Sequence, residues 1–233
     1  MKRFAVILLV VGLLVSSSSF GAEKVREGVG GFFLGLSSRN VESLNDRLRA
    51  EGYGTFPSTS FNFGGWGWGV RGNWVFGGSG SAFMNQENGQ IAKATLSGGI
   101  GFFELGYKLE AARASQVVAF AGIGGGGYTL KLVPFDVEQD FTQILRHPRT
   151  GSEITGGQFL AKLGVQLDWI GPKLGKEKRT SVTVGVRLEY VLGLTSPVWK
   201  VEDVDLRNPP DLSLDGFLLS LAIGFKGTER RCD

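Results

Sequence analysis

Ser181–Gly193 reads SVTVGVRLEYVLG. Val182, Val184, Val186, Leu188, Tyr190 and Leu192 occupy every second position, and Ser181, Thr183, Gly185, Arg187 and Glu189 fill the positions between them. Side chains of an extended strand point alternately to its two faces, so this stretch has one apolar and one polar face. Gly157–Ile170, GQFLAKLGVQLDWI, repeats the pattern: Phe159, Ala161, Leu163, Val165, Leu167 and Trp169 alternate with Gln158, Lys162, Gly164, Gln166 and Asp168. Gly216–Lys226, GFLLSLAIGFK, does so again. Globular strands usually run about five or six residues. A strand that crosses a bilayer needs about 9–11, which these segments supply.

Outward from these segments, weaker alternation marks strands near 27–37, 59–71, 73–84, 90–109, 116–132, 156–170, 180–194 and 213–226. In the fourth, Ile100 and Phe102 share one parity while Leu105, Tyr107 and Leu109 share the other, which predicts a bulge near Phe103. Connections after the second, fourth and sixth strands are short. Those after the first (38–58), fifth (133–155) and seventh (195–212) are long, and only NQENG after the third breaks the rule. The pattern predicts an all-β fold: an eight-stranded antiparallel up-and-down membrane β-barrel, with a short helix in the first long loop and the long loops outside the cell. Val41, Leu44 and Leu48 form one face of that helix, read as packing on its own loop, with cover of the barrel mouth or contact with lipid headgroups as alternatives, and 137–146 suggests a second helical turn.

The chain opens MKRFAVILLVVGLLVSSSSFGAEK. Its basic start, apolar run and small residues predict a secretory signal peptide over 1–21, then a barrel domain over 22–227 and a tail over 228–233. Lys and Arg number 25 against 22 Asp and Glu, and without Lys2 and Arg3 the balance is near neutral, so charge gives no reason to expect nucleic acid. One histidine and one cysteine, Cys232, make neither a metal cluster nor a disulfide framework, and no cofactor is expected.

Glycine is frequent, 37 of 233 residues, which is about twice the usual share. Gly122–Gly127 spells G-x-G-x-x-G, but a dinucleotide site needs a helix after it. Here Tyr128–Leu132 reads as strand and Pro134 bars a helix. The glycines instead suit a narrow barrel, where long inward side chains need small residues opposite them.

With the apolar faces outward, Lys93, Glu104, Lys108, Lys162, Asp168, Arg187 and Glu189 line the lumen. Buried charges must pair, so the lumen is expected to be an ion-paired plug and not an open pore. Lys162 is placed opposite Glu189, and Gly164 opposite Arg187. Trp68, Trp74, Tyr107, Trp169 and Phe225 are expected in an aromatic belt near the short-turn end, and Tyr128 and Tyr190 in one near the long loops. Parity alone leaves the inverse open: a soluble periplasmic lipocalin-like carrier with the apolar faces around a hydrophobic ligand. A third alternative, implied only by similarity to small membrane barrels, is a lipid-modifying barrel built on His147 with Ser152 and Glu153. A lone loop histidine is read here as polar surface, with no catalytic residue assigned.

On these grounds the chain resembles the small eight-stranded outer-membrane barrels of the OmpA/OmpX type, from which it departs in carrying KGTERRCD after Phe225. The resemblance implies a structural or interaction role in the outer membrane of a diderm bacterium after Sec-type export. Its partners would be membrane lipids and an extracellular or cell-envelope partner at the long loops.

Overall fold

The computed structural model describes residues 26–112, 115–135, 151–174, 179–201 and 204–229. Its strands are β1 (Arg26–Ser38), β2 (Thr59–Arg71), β3 (Trp74–Asn88), β4 (Ala92–Ala112), β5 (Ser115–Pro134), β6 (Ser152–Leu174), β7 (Thr180–Gly193), β8 (Val198–Val201), β9 (Val204–Asp205) and β10 (Gly216–Glu229). One helix, α1, spans Glu42–Ala50. β1 to β7 pair with their neighbours in chain order, all antiparallel. β10 pairs with β7 on one side and with β1 on the other, from Arg26↔Glu229 to Ser37↔Leu218, which closes the ring of eight. Closure gives every strand of the ring a partner on both sides and leaves no edge.

The 72–73 turn, the junction of β4 with β5 and that of β6 with β7 mark one end of the ring, where the backbones of Arg26 and Glu229 pair. The other end carries α1, the short 89–91 turn, the β8–β9 strands and residues 206–215. There β4, β5 and β6, of 21, 20 and 23 residues, rise above strands of 13 to 15 residues. The two-stranded hairpin β8–β9 pairs with the raised part of β6 at Thr155–Gly157.

The large apolar side chains of the strands point out. Phe32 is 80% exposed, Phe159 68% and Leu221 67%. The inner face carries a different set in two layers. Toward the long-loop end, Leu96, Tyr128, Leu130 and Leu160 meet Leu44 and Leu48 of α1 and Trp199, Leu212 and Leu214 of the 194–215 segment. α1 therefore packs into the barrel mouth and not only on its own loop. Toward the short-turn end, Val29, Phe33, Trp66, Trp68, Val75 and Phe120 form a second cluster.

Two local expectations are corrected. No bulge occurs at Phe103, which pairs with Gly78 and Ile123 in unbroken registers; the irregularity in β4 lies between Glu110 and Ala112. The parity slip instead marks where the inner face changes. Ile100 and Phe102 face the apolar mouth, and from Glu104 down the interior is polar while Phe103, Leu105 and Leu109 face out. The β6–β7 register is also two residues from the expected one: Lys162 lies opposite Val191, Gly164 opposite Glu189 and Gln166 opposite Arg187. The second helical turn expected at 137–146 and residue His147 lie outside the described residues.

Candidate functional site

The inner face of β4, β6 and β7 brings four charged side chains together in mid-barrel. Lys162 Nζ lies 2.7 Å from Glu189 Oε1 and also contacts Glu104 Oε1. Arg187 Nη2 lies 2.6 Å from Glu104 Oε1 and 2.9 Å from Glu189 Oε1. All four are buried, and Glu104 and Arg187 are 0% exposed. Two cations and two carboxylates sum to no net charge, which is the condition for carrying such groups out of water.

Neutral donors complete the shell. Trp68 Nε1 donates to Glu104 Oε2 at 2.5 Å, Ser79 Oγ to Glu104 Oε1 at 2.6 Å, and Lys162 Nζ to Ser79 Oγ at 2.6 Å. Aromatic rings face the cations: Lys162 Nζ is 4.4 Å from the centre of Phe102, and the Arg187 guanidinium is 4.4 Å from that of Phe120. The fit depends on close approach of backbone to ring. A Cβ on Gly164 would strike Phe120, and one on Gly64 would strike Phe33.

A polar chain runs from this cluster to the short-turn end. Arg187 Nη1 donates to Gln166 Oε1 at 3.2 Å, and Gln166 Nε2 to Asp168 Oδ1 at 2.8 Å. Gln116 Nε2 donates to Asp168 Oδ2 at 3.2 Å. Lys226 Nζ reaches Gln116 Oε1 at 3.5 Å and Glu27 Oε2 at 2.9 Å. Lys108 Nζ lies 3.6 Å from the same Glu27 oxygen.

Of the seven residues expected in the lumen, Glu104, Lys108, Lys162, Asp168, Arg187 and Glu189 are buried on the inner face. Lys93 is not: it has outward parity near the long-loop end of β4, where the inward neighbours are Ala92 and Ala94. Lys162 and Glu189 meet diagonally across the strands and not as direct opposites. The sequence reading missed Glu27, Gln116 and Lys226. Their signal was their parity, shared with Val29, Val118 and Ala222 of the inner face.

The expected belts divide in the same way. Trp74 and Tyr107 meet edge to face at 5.5 Å, Trp169 and Phe225 are exposed, and Tyr190 packs on Phe217 at 4.7 Å; all five lie on the outer face. Trp68 and Tyr128 are inside. Trp68 binds Glu104, and Tyr128 packs at 4.8 Å on Trp199 in the mouth. Both belong to strands with large residues on each face, so apolar parity did not mark the outer side there. Among the described residues no group of His, Cys, Asp and Glu could hold a metal ion.

A closed antiparallel ring of eight strands, apolar outside and charged within, defines the architecture as that of an outer-membrane β-barrel, a fold that implies lipid contact and the bacterial outer membrane. No family model and no curated protein matches the chain. Among solved structures it is similar to Neisserial surface protein A, at 10% identity and a TM-score of 0.42 over 89% of this chain and 98% of that one. It is similar to Ail, the attachment invasion locus protein of Yersinia pestis, in complex with the heparin analogue sucrose octasulfate, at 10% identity and 0.45 over 88% and 99%. A major outer membrane protein from Thermus thermophilus matches at 10% identity and 0.46 over 89% and 100%.

Proposed function

We propose that the chain is a closed outer-membrane barrel with a structural or interaction role, and neither a pore nor an enzyme. Residues 1–21 act as its Sec-type signal peptide, and the long connections face outside, where they meet an extracellular or cell-envelope partner. The observation that carries the reading is the filled interior. The neutral cluster of Glu104, Lys162, Arg187 and Glu189 lies beneath an apolar mouth into which α1 packs, so an ion would have to displace both layers. The lipocalin-like alternative loses its basis, because its apolar cavity wall would have to be the face that carries exposed Phe32, Phe159 and Leu221.

The test is to refold the protein into lipid, compare gel migration with and without boiling, and record planar-bilayer conductance. The expected result is a faster unboiled band and no conductance steps. Stable open-channel currents would overturn the closed lumen. Recovery in the soluble fraction with no band shift would overturn the membrane assignment.

A further inference from the structure

Arg39 follows β1 where the chain leaves the barrel for α1. Its side chain turns back into the mouth and is only 7% exposed. Nη2 donates to Asn62 Oδ1 at 2.9 Å, and the guanidinium lies 3.7 Å over the centre of the Phe83 ring. Nη1 is buried with no acceptor. Among the described residues no carboxylate pairs with Arg39. Lys162 and Arg187, the other deeply buried cations, have Glu104 and Glu189, and Lys108 has Glu27. Burial pushes the Arg39 guanidinium down to about 10 with no neighbouring acid to raise it again, so it still holds its proton at neutral pH.

The surrounding side chains offer donors. Asn62 Nδ2 donates to Ser37 Oγ at 2.6 Å, and Asn85 Nδ2 to Ser60 Oγ at 2.6 Å. Ser37 and Ser60 are cross-strand partners. Both hydroxyl oxygens thus serve as acceptors, which leaves both hydroxyl protons to donate. One cation, one unused N–H pair and two hydroxyl protons belong to a single buried cluster without an anion. Such a buried guanidinium is costly unless an opposite charge completes it.

We propose that this cluster is a binding site for a tetrahedral oxyanion, a phosphate group free or esterified, at the long-loop mouth. Arg39 supplies the charge through Nη1, and the Ser37 and Ser60 hydroxyls orient the oxygens. The site does not depend on whether the lumen below conducts.

The temperature at which the unboiled band converts to the boiled one reports the effect of a ligand on the folded barrel. It is measured in sodium phosphate and in glycerol phosphate, each against sodium chloride at matched ionic strength. The expected result is a rise that saturates with phosphate, is absent in chloride, is lost in Arg39→Gln and is kept in Arg71→Gln, an exposed arginine at the opposite end. A larger rise with glycerol phosphate identifies an esterified group as the ligand; equal rises identify the free ion. No rise in the wild type, or an unsaturated rise shared by Arg39→Gln, would overturn the site. If Arg39→Gln does not fold, Ser60→Ala decides. Half-saturation at several-fold higher phosphate is expected, and an unchanged half-saturation overturns the assignment.

Discussion

Removing one carboxylate from the mid-barrel cluster would leave Lys162 and Arg187 facing a single anion in a site buried from solvent. Breaking a buried pair from one side typically costs about 3–5 kcal/mol. Glu189→Gln is therefore expected to lower the unfolding free energy of the refolded barrel by that order, read as an earlier urea midpoint through the fluorescence of Trp68, which binds the same cluster. An unchanged midpoint would mean that the four charges are not coupled. At this scale the sequence is informative about charge and weak about aromatic rings. A charged residue on a strand whose other face is apolar has only the lumen to enter, which is how Arg187 and Glu189 can be read. A tryptophan suits either side, and Trp68 goes inward because its N–H finds Glu104 there. Lys93 misleads because the inner face does not stay polar along β4: its part of the strand stands in the raised wall, where the outer face is polar and the inner face apolar.

Among the elements, α1 and the glycines carry the clearest expectations. Leu44 and Leu48 anchor α1 in the mouth cluster, while the ring is held by strand pairing it does not share. Leu48→Asp should free the helix without opening the ring. Protease cleavage within 39–58 should then accelerate while the band shift on boiling stays intact; loss of both together would show that the mouth and ring unfold as one. The glycines divide by face. Gly64 lies under Phe33, so Gly64→Val should destabilise the barrel. Gly101 faces out with no heavy atom within 4 Å of a new Cβ, so Gly101→Val should be neutral or slightly stabilising. Thermal conversion of the two variants separates these outcomes. The helix was legible from the spacing of Val41, Leu44 and Leu48, but the choice of the barrel mouth over its own loop was not. Its contacts come from Leu96, Leu130 and Leu212, far along the chain. β8–β9 was not legible either, because strands of four and two residues are too short to show alternation.

For the whole molecule, the ring of eight was legible because two independent signals agree: alternating faces along each strand and alternating connection lengths between them. Register was not, since a shift of two residues preserves every inside and outside assignment and costs nothing in pattern. The seam where Arg26 meets Glu229 has a consequence for how the molecule is made. The first strand of the ring pairs with the last. Until β10 docks, both flanks of the open sheet offer unpaired backbone groups to any extended chain nearby. A chain stopped before Gly216 is thus not a smaller barrel but a sheet with two adhesive borders, and the ring loses both of them in one step when β10 docks between β1 and β7.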